Sequence, residues 1–167
     1  MSKEKNLTSF HIPRWNEFPE IDIYLDQLVT YIENYLNPYI GSEESPVITK
    51  TMINNYVKQN VIPAPVKKKY SREHIAYLFV ICTLKQVYSI NNISKLISFA
   101  GNVSNLVTSY DQFCLELENA VAAVFNNTEY EITSSTSIEH KLLKSVVLSF
   151  AHKLYVERSF SFEDNNK

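Results

Sequence analysis

The chain has 167 residues, of which 45% are hydrophobic, so it is long and apolar enough for one domain with a sizeable core and is not a disordered chain. Its net charge of −2 excludes a uniformly basic or acidic protein. Only 2 Gly and 6 Pro are present, and all six prolines lie at or before Pro65. Because sandwiches and barrels need many Gly and Pro turns, this composition predicts an all-α fold.

Cysteine usage and the lack of long apolar runs indicate a cytoplasmic protein. The two cysteines, Cys82 and Cys114, both lie within apolar helical patterns, which is the usage of a reducing compartment and excludes a disulfide scaffold. No apolar run reaches the roughly 18 residues of a transmembrane helix, and no apolar segment follows Lys3 and Lys5. We therefore expect no signal peptide and no membrane partner.

The predicted elements begin with an irregular arm over residues 1–19, in which Trp15 and Phe18 are suited to docking on the rest of the chain. A first helix is predicted over Glu20–Asn37, because apolar residues recur there at spacings of three and four, the period of one helix face. Pro38 is expected to end this helix, since a proline disfavours helical geometry in the residue before it.

A short helix is predicted over Thr49–Asn60, with the Thr49 hydroxyl accepting a backbone N–H of the first turn. The apolar residues Ile53, Tyr56 and Val57 recur at i, i+3 and i+4 and are therefore expected to face inward. The side chains left on the outward face are Lys50, Thr51, Asn54, Asn55 and Lys58.

Four further helices are predicted in the rest of the chain. Ser71 caps the first, whose core stripe is expected to be Ile75, Leu78, Phe79 and Cys82. Ser89 caps a shorter one that ends at Gly101, where a left-handed conformation costs glycine little. Two longer helices follow, the second over Ser137–Phe160. The first of these two carries an apolar heptad seam, which suits either the chain's own core or a dimer interface. The seam consists of Val103, Val107, Tyr110, Cys114, Leu117, Val121 and Val124.

No motif for catalysis is present in the sequence. P-loop, GxGxxG, GxSxG and HExxH motifs are absent, and the four histidines are scattered without a metal-ligand spacing to either cysteine. The sequence therefore predicts a protein that is not an enzyme and has no catalytic residue, metal ligand or cofactor. A small-molecule effector stays open, and its pocket would be sought among the aromatic side chains of the C-terminal helices, Tyr110, Phe113, Phe150 and Tyr155.

The charges are distributed unevenly along the chain. Between Ile48 and Gln86 there are seven bases and one acid, which gives +6, whereas the remaining residues sum to −8. A basic island in an acidic chain is the electrostatic footprint of a polyanion-binding face, although an unevenly charged solvated surface has the same appearance.

Several short runs within this basic island resemble the MerR-type winged helix-turn-helix. INNYVKQNVIP at residues 53–63 is similar to that family's recognition helix, which carries an aromatic residue and ends in Leu-Leu-Pro. YSREHI at residues 70–75 and YSINNISKLI at residues 88–97 are similar to the starts of its third and fourth helices. The whole chain is also similar to a bacterial family of unknown function that carries this segment.

The resemblance implies a MerR-like DNA-binding region over residues 20–101, an arm at 1–19 before it, and a C-terminal two-helix extension at 102–167. The short helix would enter the major groove, and a basic turn at 67–72, with at most a minimal β wing, would lie on the phosphate backbone. The residue types agree, because amide side chains suit adenine edges and lysines suit phosphates. The predicted DNA-binding residues are Thr49, Lys50, Thr51, Asn54, Asn55, Lys58, Lys67, Lys68, Lys69, Tyr70 and Arg72.

Two functions follow from these patterns. The favoured one is a sequence-specific transcription regulator that binds double-stranded DNA, with a second copy of the chain as a further partner. The alternative is a non-enzymatic protein-interaction adaptor on a winged-helix scaffold, favoured by the aromatic arm, the acidic remainder and the heptad seam. The chain departs from MerR proteins in its long stretch before the short helix and in its shortened wing, so no effector or promoter mechanism is carried over.

Overall fold

The computed structural model describes residues 7–131 and 137–164. Within these ranges the chain is mostly helical, as predicted, with one two-stranded antiparallel sheet and two short 3₁₀ turns, Leu7–Ser9 and Trp15–Glu17. The helices are α1 (Leu25–Ile40), α2 (Lys50–Lys58), α3 (Arg72–Leu84), α4 (Ile90–Val103), α5 (Leu106–Asn126) and α6 (Ile138–Asp164), and the strands are β1 (Ile23–Tyr24) and β2 (Lys69–Tyr70).

The first helix begins and ends later in the chain than predicted. Pro38 lies inside its last turn instead of ending it. The helix continues because Tyr39 is buried against Phe10, with ring centroids 4.8 Å apart, and because Arg158 donates hydrogen bonds to the carbonyls of Pro38 and Tyr39. These tertiary contacts outweigh the local preference of the residue before proline, Asn37, for extended backbone.

The small sheet joins two distant parts of the chain. β1 precedes α1 directly and pairs with β2, with Ile23 opposite Tyr70 and Tyr24 opposite Lys69. Lys69 also pairs with Val66 across a tight turn, so the chain from residue 66 to residue 70 forms a short hairpin at the edge of β1. The sheet therefore attaches this hairpin to the start of α1.

Helix α3 is the central element of the core. Nine of its 13 residues are buried, and it contacts α1, α4, α5 and α6. Its predicted core stripe, Ile75, Leu78, Phe79 and Cys82, is confirmed, since each of these residues is at most 1% exposed. A helix that is apolar on nearly all sides is expected at such a position, because neighbours cover it all round.

Both thiols are enclosed in this core. Cys82 in α3 and Cys114 in α5 are fully buried, and burial raises the pKa of each thiol to about 12. We expect dithionitrobenzoate at about pH 8 to modify neither thiol in the folded protein and both after unfolding in guanidinium, because only an accessible thiolate reacts. Reaction of either thiol at the rate of a free cysteine under native conditions would contradict the packing described here.

The boundary between α4 and α5 differs from the prediction. Gly101 does not end a helix, because α4 continues through it to Val103, and no described glycine has a positive φ. The break comes at Ser104, and the Asn105 side chain accepts a hydrogen bond of 2.9 Å from the Thr108 N–H at the start of α5. The N-cap Asn105 therefore marks the boundary between α4 and α5, whereas the heptad spacing of apolar residues continues across this boundary.

The predicted heptad seam is split by this break, and its middle belongs to the core of the single chain. Tyr110, Cys114, Leu117 and Val121 are at most 2% exposed, and α5 packs along α6. Only Val103 and Val107, which flank the break, are exposed, at 54% and 40%. The interpretation of the whole seam as a dimer interface is therefore wrong for these four buried members, whose partners are other parts of the same chain.

The Glu118 carboxylate of α5 binds several groups of the N-terminal arm. Glu118 accepts hydrogen bonds from both terminal nitrogens of the Arg14 guanidinium, at 2.7 Å each, and from the Ile12 N–H at 3.1 Å. His11 Nδ1 lies 2.9 Å from the same carboxylate. The hydrogen bond to Glu118 raises the pKa of Arg14. We call these four residues the arm clamp. Phe18, beyond it, is buried as predicted.

Candidate nucleic-acid interface

The outward face of α2 is polar and exposed, as its sequence predicts. Ile53 and Tyr56 are buried and fix which side of the helix faces the core. The Thr49 hydroxyl accepts a hydrogen bond of 3.1 Å from the Met52 N–H and caps the helix. The five side chains predicted to face outward all do so: Lys50, Thr51, Asn54, Asn55 and Lys58 are exposed. We call these five residues the α2 face.

The N-terminal end of α2 is tied to the start of α1. Lys50, the first residue of α2, forms an ion pair with Asp26 in the first turn of α1, and both side chains are more than half exposed. An exposed pair of this kind contributes at most about 1 kcal/mol, so Lys50 can exchange Asp26 for another anion at little cost.

The turn of the hairpin has an unusual backbone. Lys67 and Lys68 both have positive φ, 51° and 64°, and Val66 and Lys69 exchange both backbone hydrogen bonds across them. Two positive φ values are typical of type I′ hairpin turns, which strongly prefer Asn-Gly or Gly-Gly. The other two described residues with positive φ are asparagines, Asn60 and Asn127, which tolerate this region. The two lysines, both exposed, therefore occupy a strained turn that we call the lysine turn.

The lysine turn and the α2 face are anchored on the same short stretch of chain. Lys69 Nζ lies 5.3 Å from the centre of the Tyr24 ring, and Tyr24 is the strand partner of Lys69. Asp26, which pairs with Lys50, follows two residues after Tyr24. One stretch at the end of β1 and the start of α1 therefore contacts both the hairpin and the first residue of α2.

Tyr70 and Arg72, two of the predicted DNA-binding residues, serve the fold instead. Tyr70 is only 4% exposed, so its ring is unavailable to a ligand. The Arg72 guanidinium donates hydrogen bonds to the carbonyls of Phe18 and Pro19, at 3.2 and 3.1 Å. These contacts of Arg72 hold the arm against the start of α3. We therefore leave Arg72 out of the candidate interface because it binds the arm, and Tyr70 because it is buried.

His74 is a positioning residue that the sequence analysis did not assign to the site. Its Nδ1 accepts a hydrogen bond of 3.0 Å from the Ser71 N–H, so its Nε2 carries the proton and donates to the Pro63 carbonyl at 3.0 Å. The ring is 4% exposed. It joins the segment between α2 and the lysine turn to the first turn of α3. The sequence contains one signal for this role of His74. It stands three residues after the capping Ser71, at the position where a capping box usually has Glu or Gln.

Other sites in the described part of the chain are less suited to binding nucleic acid than the α2 face and the lysine turn. A cleft of about 530 Å³ beside the arm is lined by three carboxylates, which repel phosphate; its lining residues are Trp15, Glu20, Asp22, Ser71, Arg72 and Glu73. Of the aromatic residues proposed for an effector pocket, Tyr110, Phe113 and Phe150 are buried in the core, and Tyr155 packs on Phe125 at the surface. Within residues 7–131 and 137–164, no group of three or more His, Cys, Asp or Glu residues is placed to hold a metal ion.

A family model described as a domain of unknown function, DUF1836, matches residues 13–113, which is more than half of the chain. The chain belongs to this family. The matched stretch includes the α2 face, the lysine turn and α3, and it excludes all of α6. No curated protein matches the chain. No solved structure matches it either. In the part of the chain that the structure describes, no helix is both long and apolar enough to cross a membrane.

Proposed function

We propose that this DUF1836 chain is a sequence-specific transcription regulator that binds double-stranded DNA. In this proposal the α2 face enters the major groove, and the lysine turn lies on the phosphate backbone beside it. The observation that carries the proposal is the shared anchorage of these two surfaces on the end of β1 and the start of α1. Because one stretch of chain holds both, the helix and the basic hairpin are proposed to contact the same duplex together.

The chemistry of the α2 face suits base recognition. Asn54 and Asn55 are exposed amides near the middle of the helix, and an amide can form two hydrogen bonds with the edge of adenine in the major groove. Lys50 and Lys58 stand at the two ends of the same helix, where ammonium groups can reach phosphates. In this proposal Asn54 and Asn55 at the centre of α2 contact the bases, and Lys50 and Lys58 at its ends position the helix on the phosphates.

The order of the elements supports the same proposal. A strand, two helices, a hairpin that pairs with the first strand, and a third helix follow one another from β1 to α3. A strand and a helix upstream of α2, followed by a hairpin and a further helix, support the proposal of a winged helix-turn-helix by their order alone. The connector between α1 and α2 is longer than the tight turn of three or four residues found in that motif.

The aromatic arm does not favour the adaptor alternative. Phe10 and Phe18 are buried in the chain's own core, and Trp15 is partly covered. The backbone of the arm is held by Glu118 and, through the Trp15 N–H, by Asp111. The buried rings of Phe10 and Phe18 are not available to a partner, so the aromatic arm, one of the features that motivated the adaptor hypothesis, has a structural explanation.

The salt dependence of binding tests the proposal. We expect the purified protein to bind a fluorescent duplex, with the logarithm of the association constant falling against log salt with a slope of about −4.5 if all five lysines contact phosphates. These are Lys50, Lys58, Lys67, Lys68 and Lys69. Fluorescence anisotropy at several salt concentrations measures the slope.

The variant Asn54→Ala is the matched control for this measurement. It should leave the slope unchanged, because an amide neutralises no phosphate, and it should reduce the preference for sequences selected from genomic fragments. An affinity for duplex DNA that is the same at low and moderate salt, or no detectable binding at low salt, would contradict the proposed function.

A further inference from the structure

The basic island between Ile48 and Gln86 contains one lysine, Lys85, that the proposed interface leaves out. Lys85 follows α3 directly, as its C-cap residue, and is half-buried. Its Nζ lies 3.8 Å from the Met52 sulfur of α2. The end of α3 therefore brings a positive charge to the side of the helix that carries the α2 face.

The charge of Lys85 has no anionic partner within the described residues. No carboxylate there lies within ion-pair distance of Lys85. The Glu33 carboxylate of α1, which acts on the Cys82 thiol as Lys85 does, accepts a hydrogen bond of 2.9 Å from the Ile48 N–H. A thioether is a weak acceptor, so the contact with Met52 leaves the ammonium group able to bind an anion from outside the chain.

Met52 and Lys50 lie at opposite edges of the α2 face. With about 100° of rotation per residue, Met52 stands about 200° from Lys50 around the helix axis. Asn54 and Asn55 stand between them, at about 40° and 140° from Lys50. Lys50 is directed towards α1, where it pairs with Asp26. The two amides are therefore flanked by Lys50 on one side and by the ammonium group of Lys85, beside Met52, on the other.

We infer that Lys85 is a sixth lysine of the DNA interface and binds the phosphate backbone on the side of the major groove opposite to Lys50. The inference rests on the proposed DNA binding of the α2 face. The major groove is about 12 Å wide and has the backbone of one strand on each side, so a helix inserted in it meets phosphates at both edges. A lysine ammonium on its flexible four-carbon stem can reach a phosphate while α3 stays in place.

The salt dependence of binding to a fluorescent duplex of mixed sequence tests this inference. Six phosphate contacts instead of five should give a slope of about −5.4 for the logarithm of the association constant against log salt. Lys85→Met keeps an unbranched side chain against Met52 but removes the charge. Its slope should be about −4.5, and its affinity at low salt should be about 3- to 10-fold lower. Fluorescence anisotropy measures both quantities.

Two further variants serve as controls. Lys85→Arg keeps the charge and should bind with the slope of the unchanged protein. Lys141→Met removes an exposed lysine from the first turn of α6 and should also leave the slope unchanged. If Lys85 only packed on Met52 or interacted with the dipole of α3, its replacement by Met would alter stability and not the slope.

Equal slopes for Lys85→Met and the unchanged protein would overturn the inference and leave the proposed function intact. A failure of the unchanged protein to bind the duplex at low salt would overturn both. Acetylation by an N-hydroxysuccinimide ester, read by mass spectrometry, provides a second measurement that needs no variant. Lys85 should react more slowly in the presence of saturating duplex, while Lys141 reacts equally with and without it. Equal reaction of Lys85 in both conditions would also overturn the inference.

Discussion

Replacing Lys67 and Lys68 by Asn and Gly should make the protein more stable and a weaker DNA binder at the same time. Asn-Gly is the preferred pair for a turn with two positive φ values, and an ordinary L-residue there costs roughly 1–2 kcal/mol, so the double variant should gain about 1–2 kcal/mol in the free energy of unfolding. Loss of two phosphate contacts should lower the affinity about 10- to 100-fold and make the salt slope shallower by about 1.8. Urea unfolding and anisotropy measure the two effects.

Two control variants separate backbone strain from charge in this experiment. Lys67→Gln with Lys68→Gln removes both charges but keeps residues that are strained at positive φ, so DNA affinity should fall while stability stays nearly unchanged. Lys67→Arg with Lys68→Arg keeps both charge and strain and should resemble the unchanged protein. If the Asn-Gly variant bound DNA as tightly as the unchanged protein, the lysine turn would not be part of the interface.

Removal of the Glu118 carboxylate should destabilise the fold and release the arm. Glu118→Ala deletes the acceptor of the Ile12 N–H and of both Arg14 nitrogens, and it leaves a guanidinium that is only 22% exposed without its carboxylate partner. We expect a loss of about 2–3 kcal/mol in the free energy of unfolding, since a partly buried charge is left behind. Thermal unfolding should show a midpoint lower by roughly 4–12 °C.

The neighbouring residue provides the control for the arm clamp. Asn119 is exposed on the same helix, and Asn119→Ala should change stability by no more than about 0.5 kcal/mol. Glu118→Gln keeps an oxygen that can accept the Ile12 N–H but removes the charge, so its stability should lie between the other two. Equal unfolding midpoints for Glu118→Ala and Asn119→Ala would show that the clamp does not hold the arm.

The parts of the fold predicted correctly are those that local sequence determines. The spacing of Ile53 and Tyr56 and the cap at Thr49 specify α2 and its outward face without help from distant residues. The core stripe of α3 is equally local, because one helix period places its apolar residues together. The exposure of the α2 face therefore follows from the local sequence.

The parts that were missed depend on distant contacts or on atypical residues. β1 is two residues long and exists because β2 pairs with it, so its sequence carries no strand period. Pro38 stays helical because Arg158, far along the chain, binds the carbonyls of that turn. Lysine rarely adopts positive φ, so its presence does not predict a turn of this kind. The sequence therefore predicts the charge of the lysine turn but not its backbone conformation. The contacts of Arg72 were missed because they are made to the docked arm, and the burial of Tyr70 was missed because it lies in β2, which pairs with β1.

Helix α6, which lies outside the family match, contacts several of the elements inside it. Arg158 and Lys153 of α6 donate hydrogen bonds to backbone carbonyls at the end of α1 and at Gln86 after α3, and Phe150 packs near Phe10 of the arm. All of these α6 residues lie beyond residue 113, where the family match ends. A protein cut at residue 113 would lose most of α5 and all of α6, including the groups that bind those carbonyls. The family match therefore covers less than the packed unit of this chain, and biochemical work on residues 13–113 needs the whole of α5 and α6 attached.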